Sequence, residues 1–256
     1  MPAKKIAVMN NKGGVGKSTT SVNCAHGLTK LDYKVLIVDM DDQNNGSSFL
    51  GFHQKDYEKT LYDMIKRDDN PSPARFEEVV INAREDLDLL PNSKMKFLEG
   101  YLTNYRRIDI AIKMILGDEI EEAYDFIIFD CGPKRSMVND AVLLYVDSII
   151  MPVQTEGAAV ESVGNMYEYL GDLELSGDMI KIVVPTMYDQ RTNESKEKYE
   201  VLKEIFKDEE DILTKPVHRR TKITESTSIG KTVFEYDKEA ANQYFKVLEK
   251  VVERIV

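Results

Sequence analysis

The run KGGVGKST, Lys12 to Thr19, constrains this chain more than any other stretch of its 256 residues. It follows a short apolar segment, KIAVMN (5–10), and leads into a segment that reads as helix from 17 to 31. Gly13, Gly14 and Gly16 let the backbone turn its N–H groups toward an anion without Cβ clashes. The N-terminus of the following helix adds a partial positive charge. Strand, glycine-rich turn with Gly16-Lys17-Ser18, then helix is the context a phosphate-binding loop requires. On that reading Gly13, Gly14, Val15 and Gly16 wrap phosphates and Lys17 neutralises the β- and γ-phosphates of a nucleotide. The Ser18 hydroxyl ligates Mg²⁺, and Thr19 is placed to touch the α-phosphate. A dinucleotide fingerprint, Gly14-x-Gly16-x-x-Gly, fails at Thr19. The loop's beginning is unusual. Asn11 stands where the common pattern has glycine, and a second lysine, Lys12, lies five residues ahead of Lys17.

The rest of the chain alternates short apolar runs with helical stretches. Strands are expected at 5–10, 34–39, 87–90, 125–130, 148–153 and 180–185. Helices are expected at 17–31, 60–66, 73–82, 94–117, 136–145, 157–171, 193–207 and 239–255. Several strands are apolar without alternation, as in strands buried on both faces. The predicted fold is α/β: one doubly wound, mainly parallel β-sheet with helices on both faces, forming a single domain over residues 1–256. No apolar run approaches the roughly 20 residues of a membrane span, and the N-terminus lacks a signal-peptide pattern. Cys24 and Cys131 have no metal-ligand spacing, and Cys24 falls on the core side of the first helix. A cytoplasmic protein without disulfides is expected. The net charge of −11 argues against non-specific binding to nucleic acid or an anionic membrane, unless a local basic patch offsets it.

A phosphate site needs a metal, and the metal needs carboxylates. Two apolar runs end in them: KVLIVDMDDQ carries Asp39, Asp41 and Asp42, and DFIIFDCGP carries Asp130. Open α/β sheets bind ligands at such C-terminal strand ends. Asp130 is therefore expected at Mg²⁺, with Asp39 or Asp41 orienting the attacking water and the other supporting the metal. In an extended segment Asp39 and Asp41 share one side and Asp42 takes the other.

KGGVGKST, then VDMDDQNNGSS, then IIFDCGPK, in that order and spacing, resembles the deviant Walker A ATPases, and more closely the ParA/Soj partition ATPases. MPVQTEGAAVES (151–162), VVPTMYDQRTN (183–193) and KPVHRRTKITESTSIGKTVFEYD (215–237) extend the resemblance over nearly the whole chain. Two departures stand out: Asp42 replaces a usual proline, and Gly132 with Lys134 alters a D-C-P-P stretch. The resemblance implies a role for the early lysine. Lys12 would reach the phosphates of a partner subunit, so that ATP closes a homodimer and hydrolysis loosens it. It also implies that Asp41 supports water attack, with Asp39 and Asp130 around Mg²⁺. Gln154, Thr155 and Pro216, Val217 and His218 would complete the nucleotide site.

Between Lys215 and Lys222 the chain carries Lys215, Arg219, Arg220 and Lys222 with no acid. The resemblance makes Arg191 and Lys222, with Arg219 and Arg220, contacts to duplex DNA bound without sequence preference by the ATP dimer. It implies slow hydrolysis stimulated by a ParB-like partner, and a nucleoid-associated place in the cytoplasm. Related ATPases position non-DNA cargo, and MinD-like ones switch on membranes through a C-terminal amphipathic anchor. Here the last helix has a stripe of Phe245, Leu248, Val252 and Ile255 with mixed charges, which fits core packing better than an anchor. An iron–sulfur protein of the nitrogenase type would need seam cysteines that Cys24 and Cys131 do not supply. With the first strand starting at residue 5, no helix-turn-helix domain is expected before it.

Overall fold

A computed structural model describes residues 2–105, 107–209 and 211–256. Seven strands form one sheet in the order β3-β4-β2-β5-β1-β6-β7. They are β1 (Lys4–Val8), β2 (Val35–Met40), β3 (Ile81–Arg84), β4 (Leu87–Leu90), β5 (Phe126–Cys131), β6 (Ser148–Gln154) and β7 (Ile180–Thr186). All neighbours pair in parallel except the β3–β4 hairpin at one edge.

Successive residues of the central strands point to opposite faces, and each face carries its own core. On one side Ile6, Val8, Val35, Ile37, Phe126 and Ile128 pack beneath α1 (Lys17–Thr29) and the last helix (Lys238–Ile255). On the other, Ala7, Met9, Leu36, Val38, Ile127 and Phe129 meet residues of the helices Met137–Leu143 and Ala159–Asp172. Burial on both faces explains why these strands read as unbroken apolar runs. The last helix buries Tyr244, Val247, Leu248, Val251 and Ile255. Its seam lies slightly around from the expected stripe, with Phe245 and Val252 half-buried against the same core. Each fully buried Val, Leu or Ile contributes about 1.5–3 kcal/mol, so the apolar stripe is committed to the core. Among the described residues no helix is long and apolar enough to cross a membrane.

The expected helix at 73–82 does not form. A short 3-10 turn, Phe76–Glu78, gives way to β3, and Glu85-Asp86 turn the chain into β4 with Asp86 at φ 56°. Pairing with β4 outweighs the local helical pattern. The expected helix at 94–117 is also broken, into Met95–Thr103, a 3-10 turn Ile108–Ile110 and Ala111–Leu116. Short helices at Asn45–Phe49, Asp118–Ala123, Thr221–Ser228 and Val233–Tyr236 were not expected. Two of them meet indirectly where Gly230 follows Thr221–Ser228 and Gly51 follows Asn45–Phe49. A Cβ built on Gly230 would come 2.5 Å from the Gly51 Cα. Arg84 bridges the same corner, donating to the Leu50 and Gly230 carbonyls and to Glu235.

Candidate nucleotide site

The loop after β1 leaves the sheet centre and enters α1 through Gly16, whose φ of 87° at the helix N-cap is the left-handed region that favours glycine. Val15 is anchored by its carbonyl, which accepts from the Thr186 hydroxyl at the end of β7 (2.8 Å). Lys17 is buried, and its ammonium donates to the Lys12 carbonyl at 3.0 Å. Burial lowers its pKa, while Asp130 and Asp41 pull the other way. Lys12 is turned aside. Its ammonium lies 3.6 Å from where a Gly157 side chain would begin, in the loop after β6.

Adjacent parallel strands bring two carboxylates together. Asp39 of β2 and Asp130 of β5 are register partners, and both are fully buried. Asp39 accepts from the Ser47 amide (2.7 Å) and hydroxyl (2.6 Å), while Asp130 accepts from Ser21 (2.8 Å) and from Ser18. Burial, and for Asp130 also the charge of Asp39, pushes Asp39 up to about 6 and Asp130 up to about 8. The second oxygen of Asp130, Oδ2, is buried without a hydrogen-bond partner. Gly46 leaves room beside it: a Cβ there would stand 2.9 Å from Asp130 Oδ2 and 3.3 Å from Asp39 Oδ2. A buried pair of adjacent carboxyl groups, each disfavoured as an anion by burial and with one oxygen unpartnered, is the surrounding a hard divalent cation relieves. Among the described residues no cluster of three or more His, Cys, Asp or Glu forms a ready metal cage, so a cation here would draw oxygen ligands also from hydroxyls such as that of Ser18, from water or from a bound molecule.

Asp41 is buried and takes the Gln43 amide on Oδ1 (3.2 Å); burial raises its pKa. Gly132 packs against it, its absent Cβ 3.4 Å from Asp41 Oδ1. Asp42 is exposed, as strand alternation predicts.

Two clefts open along this edge of the sheet. One, of about 430 Å³, is lined by Gly13, Gly14, Gly16, Lys17, Ser18, Thr19, Asp41, Asp42 and Lys134 among others. The second, of about 410 Å³, shares Gly16, Thr19, Phe49 and Met187 with it and continues to Thr186, Val217, His218 and Tyr244. Val217 and His218 thus join the glycine loop in space, whereas Pro216 is not among the lining residues. Thr155 turns its hydroxyl to Ser195 and the Thr186 carbonyl, and Gln154 donates to Glu156, so neither lines these clefts. His218 is held by its amide on Gln243 and by the Tyr188 ring edge. Ser21, Ser47, Gly46 and Phe49 were not singled out by the sequence. Ser21 lies one helical turn beyond Lys17, and the other three lie in the short helix after Asp42, so their spacing was the available signal.

The basic residues expected at DNA are exposed or half-buried, and each is ion-paired. Arg191 binds Asp189 (2.7 Å), Arg219 binds Glu156 (2.8 Å), Arg220 binds Glu239 and Lys222 binds Glu225 (2.8 Å). Within the acid-free run, Arg219 and Arg220 are met by acids from other elements and Lys222 by Glu225 of its own helix. Arg219 and Arg220 also line the second cleft. Cys24 and Cys131 are buried free thiols, and burial pushes Cys24 up to about 12.

A mainly parallel sheet with a glycine loop at the carboxyl end of its central strand, beside aspartates closing the neighbouring strands, defines a P-loop nucleotide-binding ATPase fold. The family described as an AAA domain matches residues 3–182. Soj of Bacillus subtilis, described as a sporulation initiation inhibitor protein, is 33% identical over 238 residues, covering 91% of each chain. The chromosome partitioning protein ParA of Myxococcus xanthus is 29% identical, covering 91% of this chain and 81% of its own. The solved ATP complex of a single-residue variant of Cyanothece McdA superposes with a TM-score of 0.82 at 21% identity, covering 98% of this chain and 96% of its own, a likeness of fold. The chain belongs to the ParA/Soj-type partition ATPases.

Proposed function

We propose that this protein is an ATP-switched DNA partition ATPase that closes as a homodimer on ATP, binds duplex DNA without sequence preference, and hydrolyses ATP slowly until a ParB-like partner accelerates it. The observation that carries the reading is the convergence of buried Lys17 and Ser18 with Asp41 on one cleft, Ser18 being hydrogen-bonded to the buried Asp130 behind it, whose Oδ2 is unpartnered. Gly13, Gly14, Val15, Gly16 and Thr19 would wrap the phosphates, with Lys17 turning from the Lys12 carbonyl to them. Pro216, Val217 and His218 would form the nucleoside end. Mg²⁺, held by Ser18 and Asp130 with Asp39 in support, would supply charge neutralisation at the β- and γ-phosphates. Asp41 would orient the attacking water. Lys12, resting beside Gly157, would extend to the partner subunit's nucleotide, offsetting the repulsion between two triphosphates at the seam. The protein would act in the cytoplasm, on the nucleoid.

Arg191, Arg219, Arg220 and Lys222 would supply the phosphate contacts. Their carboxylate partners keep the single chain a weak DNA binder, and a dimer doubles the number of contacts. The test is binding to unrelated duplex DNA with ATP, with ADP and without nucleotide across a salt series. Binding confined to ATP and falling steeply with salt is expected. Dimerisation on ATP with no DNA binding in any state would remove DNA as the track and favour a protein scaffold or membrane.

A further inference from the structure

The two departures from the family pattern meet in space. Asp42, at the end of β2, and Lys134, beyond β5, line the phosphate-side cleft together with Asp41. Both also line a neighbouring cleft of about 370 Å³ with Lys96, Glu99 and Arg135. They stand at the partition between the two.

Lys134 is held by its backbone and free at its tip. Buried Asn139 donates its side-chain amide to the carbonyls of Gly132 (3.0 Å) and Lys134 (2.6 Å), which fixes the loop. The side chain is exposed, and among the described residues its ammonium makes no ion pair. Arg135 beside it is committed elsewhere, to Asp172 (2.5 Å), Glu168 (3.7 Å) and the face of Tyr169. Asp42 lines both clefts with Lys134. Its carboxyl is held below the usual range first by hydrogen bonds from Gln43 and with Asp41, and further by the charges of Lys134 and Lys96.

Asp41 and Asp42 make this side of the cleft negative, where the outer end of a triphosphate would lie if the glycine loop takes the inner phosphates. We propose that Lys134 is a second cation, supplied by the same chain, for the terminal phosphate of a bound nucleoside triphosphate. The inference rests on the nucleotide reading of the cleft and adds to it a residue that separates triphosphate from diphosphate. Lys17 serves the β-phosphate, which both carry, as well as the γ-phosphate. Lys134 meets the one that only the triphosphate carries, and it offsets the repulsion that Asp41 and Asp42 exert there.

The test is calorimetric binding of AMPPNP and of ADP, each with Mg²⁺, to the full chain and to Lys134→Gln, Lys134→Arg and Asp42→Asn. Lys134→Gln is expected to weaken AMPPNP roughly fivefold to tenfold, the size of one partly exposed charge-assisted contact, and ADP by less than about twofold. Lys134→Arg restores most of the loss. Asp42→Asn tightens AMPPNP, because it removes a repelling charge. Equal weakening of both nucleotides, or no weakening of either, overturns the proposal while leaving the nucleotide site intact. A wild-type chain that binds neither nucleotide overturns the nucleotide reading together with it.

Discussion

Asp39 and Asp130 sit side by side as register partners of β2 and β5, both fully buried, and the Oδ2 of Asp130 has no hydrogen-bond partner. Two buried like charges oppose folding unless a cation or a proton compensates them. Asp130→Asn, which keeps an acceptor for Ser21, should stabilise the nucleotide-free protein by about 1–2 kcal/mol in urea unfolding and abolish ATP turnover. A destabilised variant would mean that the pair is already compensated within the chain.

Gly46 supplies the space beside that pair. A methyl group there would crowd Asp130 Oδ2 from 2.9 Å. Gly46→Ala should therefore weaken Mg²⁺-dependent nucleotide binding at least tenfold, with the circular dichroism spectrum unchanged. Unaltered affinity would move the cation away from Asp130.

Lys12 and Asp41 should separate two steps. Lys12→Ala is expected to leave ATP binding by the monomer near wild type but to lose ATP-dependent dimerisation in sedimentation. Asp41→Ala should trap a persistent ATP dimer with turnover reduced at least a hundredfold. Normal turnover in the Asp41 variant would reassign the residue that orients water.

His26 gives the fold an acid-sensitive point far from the phosphates. It is buried in α1, with Nδ1 2.6 Å from the Thr232 hydroxyl. Burial, reinforced by Lys30 and Arg84 against the pull of Glu235, lowers its pKa from 6.5 to about 4. Between those values the unfolded chain takes up a proton that the folded chain refuses. Stability present above pH 6.5 is thus lost as pH falls toward 4, by roughly 3 kcal/mol at most. Comparison with His26→Gln, whose unfolding midpoint should vary less over this range, isolates the term; parallel profiles would assign the acid sensitivity elsewhere.

Much of this was legible because the informative residues are consecutive. The loop from Lys12 to Thr19 and the aspartates closing two apolar runs are read along the chain, and the six parallel strands fell close to their expected places. What was not legible depends on contacts between distant segments. The apolar spacing of 73–82 suits a helix, and only pairing with Leu87–Leu90 makes Ile81–Arg84 a strand. The run from Lys215 to Lys222 contains no acid, yet Glu156 and Glu239 reach it from elsewhere in the fold. The adjacency of Asp39 and Asp130 needed the strand order, since β5 lies between β1 and β2 in the sheet but follows both in the chain.

The meeting of Gly51 and Gly230 carries an evolutionary consequence. Both have positive φ, 95° and 69°, and their backbones touch with no side chain between them. In most packed pairs an enlargement on one side can be compensated by a reduction on the other. Here neither partner can become smaller, so a larger residue at either position has no compensating change across the contact. At this corner selection leaves descendants of the sequence a single spelling.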